Sequence, residues 1–494
     1  MSLISVNNLT FGYDGSLKNI FENVSFNIDT DWKLGLIGRN GKGKTTFLKL
    51  LLGKYEYQGA ISKNVEFDYF PFEVKNKERM AIEIVNEIAP NVEDWEIIRE
   101  LNLLNTDTEV LYRSFNLLSG GEQIKILLIS LFLKGNNFLL IDEPTNHLDI
   151  ETRNNLVNYL EKKNGFILVS HDRNFLDKVV NHIISINNTN IEIQQGNFSS
   201  WKENKNRQDN FEKIQNERLQ KDINRLEIAS KNCAKWSNEA EKTKNKKYNS
   251  ETTIDKGYIG HKADKMMKKS KVMEQRIEKA INEKTNLLKN IEVNDTLKII
   301  PLKSNKNPLI FAHNLQIKYS KETIFNPITF EVNNGDRVAL IGKNGIGKSS
   351  ILKLILGEEL QYNGEFMVAN DLKISYVSQS TEDLKGNLRT FAYDNKINES
   401  IFKAMLVKMG LSQFDFDTNI QDMSEGQKKK VLIAKSISEQ ANIYIWDEPL
   451  NYIDILTREQ IEDAILNYNP TIIFVEHDEK FIEKVATKII NLVK

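Results

Sequence analysis

The chain is poor in the residues that staple, kink or anchor a polypeptide. Cysteine occurs once, at Cys233, which excludes an intrachain disulfide and suits a reducing compartment. Proline occurs eight times in 494 residues and never between 201 and 300. No apolar run approaches the roughly 18–20 residues that cross a bilayer. Ile126 to Leu133, bounded by Lys125 and Lys134, is among the longest. The opening Met-Ser-Leu-Ile-Ser-Val-Asn-Asn has neither a charged region nor an apolar core, so no signal peptide is expected. An excess of one charge is missing too, since 67 Lys and Arg face 68 Asp and Glu. These absences exclude an integral membrane protein and a disulfide scaffold. The 40% hydrophobic content excludes a wholly disordered chain. A cytoplasmic protein of several domains is expected.

What is present is a repeat. Gly-Arg-Asn-Gly-Lys-Gly-Lys-Thr starts at Gly38, and Gly-Lys-Asn-Gly-Ile-Gly-Lys-Ser starts at Gly342, 304 residues later. Leu-Ser-Gly-Gly-Glu-Gln places Ser119, and Met-Ser-Glu-Gly-Gln-Lys places Ser424, at an offset of 305. Asp142-Glu143-Pro144 matches Asp447-Glu448-Pro449 at 305, and His171-Asp172 matches His477-Asp478 at 306. The chain therefore reads as domain 1–200, a linker 201–304, and a second copy 305–494. Short apolar runs end at the motifs: Lys33 to Ile37, Phe138 to Ile141 and Phe166 to Val169, then Arg337 to Ile341, Ile443 to Trp446 and Thr471 to Val475. Helix-like stretches such as Thr45 to Leu52 and Glu122 to Leu133 separate them. Alternating strands and helices predict an α/β fold with a mainly parallel sheet in each copy and ligand loops at strand C-termini.

The linker differs from both copies. Residues 201–300 hold 24 Lys and Arg against 16 Asp and Glu, net +8, which leaves −9 for the rest. Phe211, Ile214, Ile223, Leu226, Ala229 and Cys233 recur at helical spacing, as do Ile259, Ala263, Met266, Met273, Ile277, Leu288 and Ile291. Two long antiparallel helices are predicted, about Asn204–Ala240 and Ile259–Ile291, joined by a polar turn from Glu241 to Tyr258. A charged linker is commonly a solvated spacer. Here the positive charge concentrates near the turn, at Lys242, Lys244, Lys246 and Lys247, beside Tyr248 and ahead of Ile254. Lysines at such a tip suit RNA phosphates, and Tyr248 suits an unpaired base.

The repeated motifs carry phosphate chemistry. In G-x-x-x-x-G-K-[ST], glycines let backbone amides close around phosphate oxygens, and the following helix adds its dipole. The nucleotide-contacting set is Gly38, Asn40, Gly41, Gly43, Lys44, Thr45 and Thr46 in the first copy. In the second it is Gly342, Asn344, Gly345, Gly347, Lys348, Ser349 and Ser350. Lys44 and Lys348 reach for the β- and γ-phosphates, and Thr45 and Ser349 offer hydroxyls to Mg²⁺. Asp142 and Asp447 end apolar strands beside these loops and support the metal. Glu143 and Glu448 face the γ-phosphate and polarise the attacking water. A neutral His171 or His477 bridges phosphate and water. Tyr13 and Tyr319 either stack on adenine or are strand-end aromatics.

These motifs together resemble the ATP-binding cassette superfamily, over about four fifths of the chain. The resemblance implies two cassettes facing head to tail, with ATP shared between one phosphate loop and the opposite signature serine. Lys44 then shares a nucleotide with Ser424 and Gly426, and Lys348 with Ser119, Gly120 and Gly121. Asp149 and Asp454 match the loop that links the sites. Gln379 matches the glutamine that meets the metal, whereas Phe72 stands at that place in the first copy. Glu425 replaces a signature glycine, and Leu450 and Tyr452 replace the Thr and His of copy one. Unequal sites are expected.

Two fused cassettes around a basic hairpin resemble the ABC-F subfamily, and Trp32 to Gly41, Gly196 to Ser199 and Tyr444 to Tyr452 resemble its Lsa-type resistance group. The resemblance implies a monomeric ATPase with two ATP sites and Mg²⁺. Its partner is the 70S ribosome, through rRNA and P-site tRNA, with no role for DNA or membrane. Its action would be protection against lincosamides, streptogramin A and pleuromutilins. A general translation factor and the ATPase subunit of a drug efflux transporter are the alternatives.

Overall fold

A computed structural model describes residues 3–13, 19–135, 137–146, 148–187, 190–244, 296–319, 322–412 and 414–494, with 265, 268–269, 271–273 and 275–280. Each copy is an α/β domain. In the first, strands run in the order Glu66–Phe70, Asn137–Asp142, Phe166–Val169, Lys33–Ile37, His182–Asn187 and Asn190–Gln195. The first five are parallel and the last pair is antiparallel. The second copy repeats the parallel part: Ile374–Val377, Ile443–Asp447, Ile472–Val475, Arg337–Ile341 and Lys488–Asn491. The central strands are apolar throughout, as a sheet covered on both faces requires. Phe166–Val169 and Ile472–Val475 are buried at every residue. A smaller antiparallel sheet accompanies each, Phe21–Asp29 with Leu3–Phe11 and Gln58–Ser62 in the first copy. Ile310–Tyr319 is central to its counterpart.

Each parallel sheet separates two apolar clusters. In the first copy one cluster joins the helices Ala81–Ile88, Asp94–Leu103 and Gly120–Lys134 to the sheet. The other fills the space between the two sheets around Phe21, Phe47 and Phe138. Leu297 and Ile299, near the end of the linker, are already buried in the second copy's core. By contact density, Met1–Trp201 and Asn294–Lys494 form one compact unit, and Lys202–Val293 another.

Within the second unit, the predicted first arm is part of one continuous helix, Phe198–Lys244. It starts earlier than its apolar period suggested, because Phe198 and Trp201 pack on the first copy's core. Residues 275–280 are helical too. Ile223 and Ile277 are both buried, and Leu226 lines a groove with Val272 and Met273, so the two segments lie side by side there. The turn, including Lys246, Lys247, Tyr248 and Ile254, lies outside the described residues, as do the side chains of Lys242, Lys244 and Cys233. No helix among the described residues is long and apolar enough to cross a membrane.

The two copies meet through buried charge. The Arg173 guanidinium of the first pairs with Glu462 of the second, and Lys484 reaches the same carboxylate at 3.0 Å. Asp177 accepts from Lys480 at 2.7 Å. Glu462 is fully buried, so losing it strands Arg173 in a site built for an anion. Glu462→Ala is therefore expected to cost about 3–5 kcal/mol, read as a lower urea midpoint. An unchanged midpoint would mean the pair contributes nothing to the contact.

Candidate nucleotide sites

The phosphate loops follow Lys33–Ile37 and Arg337–Ile341 and open the helices Lys44–Leu51 and Lys348–Ile355. Gly43 and Gly347 are left-handed, with φ of 95° and 97°. A Cβ on Gly43 would come within 2.5 Å of Ile20 Cγ2, so the turn demands glycine. Each lysine folds back on its loop. Lys44 Nζ donates to Gly38 O at 2.8 Å and to Asn40 Oδ1 at 3.2 Å; Lys348 Nζ donates to Gly342 O at 2.8 Å and Lys343 O at 3.0 Å. Burial lowers the pKa of both ammonium groups, which primes them for a phosphate partner. Thr46 and Ser350 meet the hydroxyls of Tyr13 and Tyr319 at 2.8 and 3.2 Å, and both tyrosines remain exposed.

Asp142 Oδ2 accepts from Thr45 Oγ1 at 3.1 Å and from the Tyr69 hydroxyl at 2.9 Å. Asp447 accepts from Ser349 and keeps Oδ1 buried without a partner. Burial raises both carboxyl pKa values, against the hydrogen bonds they accept. A hydroxyl and a carboxylate at one corner, with a lone pair unsatisfied, fit Mg²⁺, which takes few protein oxygens and fills its octahedron with phosphate and water. Among the described residues no group of three His, Cys, Asp or Glu side chains could hold a metal unaided. Such an ion therefore needs the nucleotide's own oxygens.

The two glutamates sit in left-handed backbone, with φ of 52° at Glu143 and 46° at Glu448. That conformation is costly for a long side chain and is held here by the strand end. Their surroundings differ. Glu143 receives no side-chain amide; its near neighbours are the His171 backbone amide and His171 Nε2, 3.1 Å from Oε1. Burial, then the neighbouring Asp142, push its pKa up to about 8. Glu448 Oε2 instead accepts from Gln379 Nε2 at 2.9 Å and Asn451 Nδ2 at 2.7 Å, while His477 Nε2 stays 3.7 Å away. Burial lowers the pKa of both imidazoles, so each is the neutral form at physiological pH.

The signature serines cap helices. Ser119 opens Gly120–Lys134 and Ser424 opens Glu425–Ser438, each accepting from the backbone amide three residues on. Their hydroxyls donate to Glu122 Oε2 at 2.7 Å and Gln427 Oε1 at 3.0 Å. Glu425 is held by Thr381 and by Lys428 at 3.0 Å, and these bonds outweigh burial to lower its pKa. That tether compensates part of the charge that Glu425 brings to a phosphate site.

One cleft of about 430 Å³ is walled by both copies: Lys44, Thr45 and Glu143 from the first, Ser424, Gly426 and Tyr452 from the second. Gly41, Asp142, His171 and Tyr13 also line it. Asn40 Nδ2 donates to Tyr452 O at 2.7 Å across the junction. A Cβ on Gly426 would strike both of those groups at 2.6 Å. Asp454 accepts from the Asn40 amide at 3.4 Å and from Lys430 Nζ at 2.7 Å. Around the second loop the reach is reciprocal: the Asn344 amide donates to Asp149, and Lys343 pairs with Glu151 at 2.7 Å.

Several site residues escaped sequence reasoning. Arg153 donates to Asp172 at 3.2 Å and across the junction to His477 O at 3.1 Å. Its counterpart Arg458 holds Asp478 at 3.0 Å and Leu450 O at 2.8 Å, and its charge opposes the rise in the Glu143 pKa. The two arginines stand 305 apart, so the repeat offset could have found them. Tyr69 and Glu476 carried no motif signal, whereas Lys430 and Asn451 repeat Lys125 and Asn146 at the same offset. Glu476, where copy one has Ser170, accepts from the Leu450 amide at 2.7 Å and the His477 amide at 3.1 Å.

A cleft walled by the first phosphate loop and the facing signature helix, with the same motifs repeated in the second copy, points to a class, and comparison with known proteins agrees. The ABC transporter family model matches residues 21–146 and 325–451. This chain belongs to that family, in its ABC-F group, and is an ATPase. It is 30% identical to the ATP-binding protein Uup of Buchnera aphidicola, over 99% of this chain and 80% of that one. It is 28% identical to the ribosome protection protein VmlR of Bacillus subtilis, over 96% and 84%. The archaeal ribosome recycling factor aABCE1, solved with the stalk protein aP1, shares the fold with a TM-score of 0.63 and 18% identity, over 98% and 87%.

Glu476 gives the site a pH signature. Burial pushes its pKa up to about 7, against the nearby Arg458 charge. The folded chain thus keeps a proton that the unfolded chain releases near pH 4–5. Stability from this group is present at pH 5 and is lost as pH rises through about 7. Melting temperatures of Glu476→Gln should lack that decline. Parallel wild-type and variant pH profiles between 5 and 7.5 would refute the assignment.

Proposed function

We propose that this chain is a ribosome-bound ATPase that shields the peptidyl-transferase centre from lincosamides, streptogramin A and pleuromutilins. The observation that carries the reading is likeness, over 96% of the chain, to a protein named for ribosome protection. The net charge of +8 over 201–300 of the linker supports it, because such a segment suits RNA far better than a membrane subunit. The domains are 1–200, 201–304 and 305–494, and the linker enters from the tRNA exit site.

The cycle follows from the residues. ATP·Mg²⁺ enters each cleft, and Lys44 and Lys348 exchange loop carbonyls for phosphate oxygens. Thr45 with Asp142, and Ser349 with Asp447 and Gln379, would hold Mg²⁺, which would supply positive charge to the phosphates. Ser424 with Gly426 closes the first site, and Ser119 with Gly120 and Gly121 closes the second. Closure fixes the linker, whose tip from Lys242 to Ile254 displaces drug. Glu143 and Glu448 then draw a proton from water as it attacks the γ-phosphorus, the bond to ADP breaks, and His171 and His477 steady the water. Reopening releases the protein.

The sites work unequally. Gln379 and Asn451 both donate to Glu448 Oε2, which stabilises the charged carboxylate and makes it the weaker proton acceptor. Glu143 is free of both. Glu143→Gln is expected to slow turnover more than Glu448→Gln. The double variant should lose about 100-fold or more and stay on ribosomes with ATP in a pelleting assay. A double variant that dissociates freely refutes the release step. Translation in a membrane-free extract with lincomycin or tiamulin tests protection itself. Ribosome binding without rescue would make the chain a general translation factor.

A further inference from the structure

The first site lacks the glutamine that the second uses. Phe72 stands where Gln379 stands, and it packs against the apolar cluster of the helical layer. Three residues earlier, Tyr69 lies on Glu66–Phe70, paired in parallel with the strand that ends at Asp142. The register sets Tyr69 opposite Leu140 and Phe70 opposite Ile141, which brings the tyrosine ring alongside the strand's last residue. Its hydroxyl donates to Asp142 Oδ2 at 2.9 Å, the same oxygen that accepts from Thr45 Oγ1 at 3.1 Å. One carboxylate oxygen is thereby fixed by two donors, and the other is left to point elsewhere.

We infer that Tyr69 is a positioning residue of the first site, which orients the Asp142 carboxylate toward the metal in place of the absent glutamine. The inference rests on the reading of this cleft as a Mg²⁺·ATP site. A carboxylate that can rotate binds a small octahedral ion poorly, because Mg²⁺ tolerates little departure from its geometry. Partners one shell beyond a metal ligand commonly set its orientation and its affinity. The second site is organised differently. There Gln379 reaches Glu448, Asp447 keeps its bond to Ser349, and Tyr376 bears on Asp447 only through its electrostatic influence. The two halves therefore reach a metal-ready arrangement by different donors.

The test uses the full chain with Lys348→Ala, which confines nucleotide to the first cleft. Binding of a fluorescent ATP analogue is followed while Mg²⁺ is titrated, and again in EDTA. Tyr69→Phe keeps the ring and removes one hydrogen bond to a charged acceptor, so the apparent Mg²⁺ constant should weaken roughly tenfold. Affinity in EDTA should not move, which also shows that the variant folds. Tyr376→Phe, in a Lys44→Ala chain, should shift the Mg²⁺ curve much less. An unmoved curve for Tyr69→Phe, or equal loss with and without Mg²⁺, overturns the inference. No analogue binding in Lys348→Ala alone overturns the first-site reading, and the inference with it. Adding Phe72→Gln to Tyr69→Phe supplies a second check, since a returned amide should recover part of the Mg²⁺ dependence.

Discussion

The first nucleotide cleft depends on Asp454. Its carboxylate is buried, paired with the equally buried Lys430, and offered to the Asn40 amide of the facing loop. The ion pair holds its pKa below the usual carboxylate range, despite the burial that opposes this. A charge kept ionised in a low-dielectric junction is costly unless every partner is in place. The phosphate loop of one cassette and the signature helix of the other are thus bound to a common group.

From that constraint follows the use of two cassettes. The phosphate loop supplies amides, a lysine and a hydroxyl, but its lysine turns back on Gly38 and Asn40. The opposite wall is a helix N-terminus, opened by Ser424 and left bare at Gly426. An anion between them meets two helix dipoles and a buried ammonium, so binding and closure are the same event. In the proposed cycle ATP is the adhesive, and cleaving its γ-phosphate removes it.

The repeat is approximate where it matters most. Ser170 becomes Glu476, Phe72 faces Gln379 across the alignment, and Gly120 becomes Glu425. Of these, Gln379 changes what the strand-end glutamate touches, since it donates to Glu448. Two side-chain amides hold Glu448 and none holds Glu143, so duplicated folds carry distinct surroundings. The charge added at Glu425 is answered locally by Lys428 and Thr381.

The order of motifs was enough to establish two α/β cassettes, the loops around Gly38 and Gly342, and the acidic strand ends at Asp142 and Asp447. Those features are local: glycines for a left-handed turn, an apolar run for a buried strand, a lysine at a helix start. The long helix was legible from its period, though its start at Phe198 was not, because packing on the core set it. Which carboxylate oxygen meets Tyr69, which amides hold Glu448, and how Arg153 reaches His477 depend on strand register and on the meeting of two surfaces some 300 residues apart in the chain. Sequence alone carries no distance between such groups. Only the folded chain brings them within hydrogen-bond reach, and burial then decides their charge.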